Sequence, residues 1–117
     1  MKIESYHLRS MPSAQCHVEF ISDFGVLKEV RLVSYYTTIL SVKYHGTDAD
    51  VEVMYPVDCS RTTARHVNRF TRELVGTNEY FALKKLGVGC SMRFEGCAVC
   101  ISNLHTEYLN YGKRFNY

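Results

Sequence analysis

Apolar and polar residues alternate along the first half of this chain, and the period lengthens to that of a helix in the second. In residues 14–21, Cys16, Val18 and Phe20 share one face of an extended segment, and Gln15, His17 and Glu19 share the other. Ser22-Asp23-Phe24-Gly25 supplies turn chemistry, with Gly25 free to take a positive φ. Residues 26–33 alternate again, Val26, Lys28, Val30 and Leu32 against Leu27, Glu29, Arg31 and Val33. Residues 35–44 are rich in β-branched and aromatic types, which suit a pleated surface. Ser34 is either a break or the middle of one long strand. A turn at His45-Gly46-Thr47-Asp48 leads to a short strand in 51–57, closed by Pro56, which cannot donate to a ladder.

In residues 62–75, Val67, Phe70 and Leu74 recur at helical spacing. Asp58, Ser60, Thr62 and Thr63 crowd the start, each able to accept a backbone N–H, and Gly76 stands where a left-handed terminating residue belongs. Thr77 or Asn78 caps a second, shorter helix that runs to Leu86 and stops at Gly87. Residues 88–101, with three cysteines and Gly89 and Gly96, read as a loop or short hairpin. Residues 102–111 hold a final helical turn or two, and the aromatic tail (Tyr108, Tyr111, Phe115, Tyr117) folds back onto the sheet. No linker, repeat or low-complexity stretch interrupts the pattern, so residues 1–117 form a single domain. The expected class is α+β: an antiparallel sheet of three or four strands, two helices packed on one side, and a cysteine-rich zinc loop.

Composition adds exclusions. Apolar residues make up 46% and charged residues 22%, an ordinary globular balance that argues against disorder. No apolar run approaches the ~20 residues of a spanning helix, and no apolar h-region follows the N-terminus. The expected compartment is therefore a cytosol, without a membrane.

The net charge of +2 is unevenly placed. Residues 1–58 sum to −3 and residues 59–94 to +5. Arg61, Arg65, Arg69 and Arg72 lie within an arc of about 80° on a helix, away from Val67, Phe70 and Leu74. Such a stripe suits phosphate or carboxylate, because guanidinium recognises both as a planar fork. The alternatives are that these arginines pair with Glu19, Glu29, Asp50 and Glu52, or face water.

Five cysteines without an export signal do not make a disulfide framework. Cys90-x6-Cys97-x2-Cys100 has the spacing of a thiolate metal knuckle, since two intervening residues let both sulfurs reach one zinc about 2.3 Å away. The fourth ligand is Cys59, or alternatively His105. Cys16 reads as core. No GxSxG, P-loop, HExxH or GxGxxG occurs. Cys59 and His66, seven apart, have no defined oxyanion hole, so His66 reads as a core-edge hydrogen-bonding group and no catalytic residue is assigned.

Ser34-Tyr35-Tyr36-Thr37-Thr38-Ile39 and Ser60-Arg61-Thr62-Thr63-Ala64-Arg65-His66-Val67-Asn68-Arg69-Phe70 resemble the S-Y-x-T-x-I and S-x-T-T-x-x-H-x-x-x-F segments of a group of small uncharacterised bacteriophage proteins. The resemblance spans about residues 34–75 and implies a phage or prophage origin, with no activity attached. In general character, cysteine-rich and arginine-striped, the chain is also similar to anti-CRISPR proteins, including zinc-containing inhibitors of the type II effector nuclease. These likenesses imply a non-enzymatic inhibitor that binds a host defence protein, such as a CRISPR effector nuclease, and blocks its nucleic-acid loading. The alternative is a small zinc-stabilised module that places the same four arginines on nucleic-acid phosphates.

Overall fold

Each apolar alternation read above becomes one strand of a single antiparallel sheet in the computed structural model, which describes residues 1–10 and 15–115. The strands are β1 (Lys2–His7), β2 (Cys16–Asp23), β3 (Val26–Ser34), β4 (Thr37–His45), β5 (Asp48–Val53) and β6 (Ser91–Phe94). They pair in chain order, so the sheet is a meander throughout. The helices are α1 (Arg61–Val75), α2 (Tyr80–Leu86) and α3 (Ala98–Tyr111).

Two expectations need correction. The sheet has six strands rather than three or four, and there are three helices rather than two. β1 escaped because its inward row contains Glu4, which is buried and accepts a 3.3 Å hydrogen bond from the Tyr6 hydroxyl. β6 has four residues, too few for a period to register, and it pairs with β5 across a long sequence gap. α3 starts inside the segment read as a cysteine loop and places Cys100 on a helix.

Cross-strand register puts Tyr6, Val18, Leu32, Leu40 and Val53 in one row, and Phe20, Val30, Val42 and Val51 in the next. Val67, Phe70 and Leu74 of α1, Leu83 of α2, and Ile101, Leu104 and Tyr108 of α3 join these residues in one buried cluster. The helices thus cover one face of the sheet. The other face carries buried Ile21 and Val33 together with a row of charged and hydroxyl side chains. Arg31 donates to Glu29 at 2.6 Å, Ser41 to Glu29 at 2.7 Å, and Arg93 to Asp50 at 3.1 Å. Burial raises the Glu29 pKa, but the bonds from Arg31 and Ser41 more than offset this and hold it below the ordinary carboxylate value.

Tight hairpins set the register. Phe24 and Gly25 both have positive φ, and so do Tyr35 and Tyr36 between β3 and β4. Two consecutive positive φ values match the twist of the flanking strands, but the usual residues there are Asn and Gly. A tyrosine pair in that region is conformationally strained. It also resolves the ambiguity at Ser34, which is the last residue of β3.

After α3 the chain returns to the sheet. Lys113 O accepts the His7 N–H at 2.8 Å, and the Phe115 N–H reaches Ser5 O at 3.0 Å, so residues 113–115 run along the outer edge of β1. The Phe115 ring stacks on His17 with centroids 4.1 Å apart. This part of the tail folds back as expected, whereas Tyr111 is exposed and Tyr117 lies outside the described residues. The return pivots on Gly112. A Cβ there would sit 2.5 Å from Tyr108 O and 2.8 Å from Tyr6 Cδ1. Gly112→Ala is expected to cost about 1–3 kcal/mol, as overpacked sites do, and to free residues 113–115. Urea melts measure the first effect, and faster exchange of the His7 amide reports the second.

Candidate functional site: a cationic helix face and the cleft at its start

The polar cluster at the start of α1 sets the direction of that helix. Ser60 is the N-cap, with extended backbone (φ −155°, ψ 163°), and its Oγ accepts the Thr63 N–H at 3.0 Å. The helix ends at Gly76, whose φ of 80° lets its N–H reach Arg72 O at 2.9 Å. Between these ends, Val67, Phe70 and Leu74 enter the core, while Arg61, Arg65, Arg69 and Arg72 are exposed. At 1.5 Å per residue the four guanidinium groups span roughly 16 Å of helix.

Among the described residues, none of these four arginines forms a salt bridge. The reason is topological. Glu19, Glu29, Asp50 and Glu52 occupy outward positions of β2, β3 and β5, on the sheet face opposite α1. Glu29 and Asp50 are also engaged there, by Arg31 and Arg93.

A cleft of about 390 Å³ opens at the N-terminal end of this ridge. It is lined by Ser34, Tyr35, Thr37 and Ile39 of the β3–β4 hairpin, by Tyr55, and by Cys59, Ser60, Thr62 and Thr63 at the helix start. Two segments distant in sequence, 34–39 and 59–63, therefore meet here. The sequence reading did not assign this site, although hydroxyl residues recurring in both segments are the signal that marks it.

Behind the cleft a buried network joins the two segments. Ser34 Oγ is 2.8 Å from His66 Nδ1 and 3.3 Å from Thr63 Oγ1. Ser60 Oγ and Cys59 Sγ also donate to Thr63 Oγ1, at 3.1 and 3.4 Å. His66 is 0% exposed, deeper than the core edge expected of it, and its Nε2 has no partner among the described residues. Burial lowers its pKa. Cys59 bonds to Thr63, so the network runs from thiol to imidazole through two hydroxyls.

This histidine makes stability pH-dependent in a definite window. The unfolded chain protonates His66 near an ordinary pKa of about 6.5, whereas the folded chain resists protonation. Below that pH the unfolded state binds more protons, so stability falls as pH drops, with a limiting slope of about 1.4 kcal/mol per unit. Above it the contribution is constant. His7 acts in the same direction, its pKa lowered by burial and then by Lys113 and His17. Glu29, with its lowered pKa, loses its contribution only at more acidic pH. Urea melts from pH 7.5 to 5 are expected to show this loss, and His66→Gln is expected to flatten the slope.

The proposed zinc ligands are not brought together as a set, although Cys97 and Cys100 line one groove. Cys59 lies at the start of α1, and Cys90 precedes β6. Cys97 is buried with its Sγ donating to Phe94 O at 3.1 Å, and Cys100 is exposed on α3. His105 directs Nε2 to buried Glu4 at 3.4 Å. Among the described residues, no group of three or more His, Cys, Asp or Glu side chains is placed to hold a metal ion. The donor set as folded therefore does not fit a tetrahedral zinc centre, and the expected zinc loop is replaced by β6, a turn and the start of α3. The Cys16 thiol is core, as read, with burial and then Glu73 pushing its pKa up to about 12.

Among the described residues, no helix is long and apolar enough to cross a membrane. In comparisons with known proteins, the chain matches no family model, no curated protein and no solved structure.

Proposed function

We propose that this chain is a phage-encoded inhibitor that works by binding. Its arginine ridge docks on an acidic surface of a host defence protein, a type II CRISPR effector nuclease in the leading case, and blocks nucleic-acid loading. The observation that carries the reading is the set of four exposed guanidinium groups on α1 without an ion pair among the described residues. A row of unpaired like charges destabilises its own helix slightly, and Arg61 in the first turn also opposes the helix dipole. A complementary acidic partner offsets both costs and is steered to the ridge at long range.

A second reading places nucleic acid on the same ridge. It is favoured by Tyr35 and Tyr55, half-exposed at the cleft where the ridge begins, because single strands are held by cationic tracks with aromatic side chains for the bases. One titration separates the two. Fluorescent 20-nucleotide DNA and RNA are offered to the protein at 50 and 200 mM salt, in parallel with the purified effector nuclease. An inhibitor binds the nuclease and ignores the oligonucleotides. A nucleic-acid module binds the oligonucleotides with an affinity that falls steeply with salt. If neither binds, both readings fail.

A further inference from the structure

The two edges of the sheet are treated differently. The β1 edge is closed by residues 113–115 of the same chain. Among the described residues, the β6 edge has no neighbouring strand. An open edge offers a row of backbone donors and acceptors to any extended chain that fits beside it.

The ladder identifies which groups are free. The Val53 N–H donates to Cys90 O at 3.0 Å, and on the other side of β5 the Met54 N–H donates to Ile39 O at 2.8 Å. Antiparallel bonds alternate, so Met92 and Phe94 direct their backbone N–H and C=O groups to β5. Ser91 and Arg93 direct theirs outward, and both residues are exposed. Their amides have no other acceptor among the described residues.

A groove of about 380 Å³ lies beside this edge. Its apolar surface comes from Val75 at the end of α1 and from Met92 and Phe94, whose side chains lie on the core face of the sheet. Glu79 and Glu95 line it as well. Arg93, the one cationic residue in the lining, is engaged by Asp50. The groove is therefore apolar along β6 and acidic in net charge.

We propose that β6 is a docking edge for an extended segment of a partner protein, which adds to the sheet as a further strand. Side chains of a strand alternate, so residues two apart would both enter the groove. The matching segment carries an apolar side chain against Met92 and Phe94 and, two residues on, a Lys or Arg for Glu79 and Glu95. This surface is separate from the arginine ridge and stands whether or not the ridge binds an acidic partner.

The probe is the blocked pentapeptide Thr-Val-Thr-Lys-Thr, titrated into the full chain while backbone amide shifts are followed by NMR. The expected result is saturable shifts centred on Ser91 and Arg93. Arg93→Pro removes the outward N–H without touching the bonds to β5 and is expected to abolish binding. Arg93→Ala, which keeps the N–H, is expected to retain affinity within about threefold, since an exposed ion pair contributes little. Replacing the peptide Lys by Glu is expected to weaken binding at least about fivefold, a change of about 1 kcal/mol. An N-methylated peptide that cannot pair with the edge is expected to fail, which keeps the test decisive should the proline variant not fold. Absence of saturable shifts at β6 overturns the proposal, as does equal binding of the Glu peptide. Concentration-dependent shifts at β6 without peptide also overturn it, by showing a second copy of this chain to be the occupant.

Discussion

Reversing two charges on α1, Arg65→Glu together with Arg69→Glu, is expected to abolish binding of the acidic partner while leaving the fold intact. Both side chains are exposed, and neither makes an ion pair among the described residues, so their loss breaks no salt bridge there. Each reversal removes an attraction and adds a repulsion at the centre of the ridge. Charge pairs desolvated at an interface contribute roughly 2–5 kcal/mol when one partner is removed. The double variant should therefore weaken binding by at least about a hundredfold, equivalent to roughly 3 kcal/mol. Net charge changes as well, so the control is Lys28→Glu with Lys113→Glu, two exposed residues away from α1. That variant should shift the association rate and its salt dependence but leave most of the affinity. Calorimetric titration against the purified nuclease measures both. Equal losses in the two variants would show that only net charge matters, and retained affinity in the ridge variant would place the interface elsewhere.

The second large effect concerns the buried network behind the cleft. His66→Ala is expected to destabilise the protein by about 3 kcal/mol, combining a cavity with the loss of a partner for a buried hydroxyl. Ser34→Ala should cost about 1–2 kcal/mol, because His66 Nδ1 is then left unpaired in a site that excludes water. The two residues share one hydrogen bond, so the double variant should cost less than the sum by about 1 kcal/mol. Urea unfolding of the four proteins measures this coupling directly. Strict additivity would mean that the 2.8 Å contact does not hold the β3–β4 hairpin against α1. The amides of Tyr35 and Tyr36 provide a local readout, since their strained turn is expected to open first when the network is cut.

The central meander was legible because its strands carry a regular apolar row toward the helices. Cys16, Val18 and Phe20 lie together in the core, and His17 and Glu19 face the other way, as their alternation requires. The first helix was legible for the corresponding reason at a period of 3.6, with Ser60 and Gly76 marking its ends. The Tyr35-Tyr36 turn was not, because aromatic residues favour strands and only the surrounding hairpin holds them at positive φ. The cysteine spacing misled because it was read as a loop. Once Ala98–Tyr111 is helical and Cys97 is packed into the core, Cys97 and Cys100 still line one groove, but among the described residues no group of three or more His, Cys, Asp or Glu side chains gathers there to hold a metal.

The amino-acid order alone determined the periodic elements and the arginine stripe, since both depend only on spacing along one segment. Tertiary structure decided which partners those residues have. It sent Glu19, Glu29, Asp50 and Glu52 to the face opposite α1, which leaves the ridge without an ion pair among the described residues. It brought Ser34 to His66 across 32 positions and drew two distant segments into one cleft. It closed the β1 edge and left the β6 edge without a neighbouring strand among the described residues. A repeat within one element is set by local backbone geometry, whereas a contact between elements depends on how the whole sheet pairs and on which of its faces the helices bury.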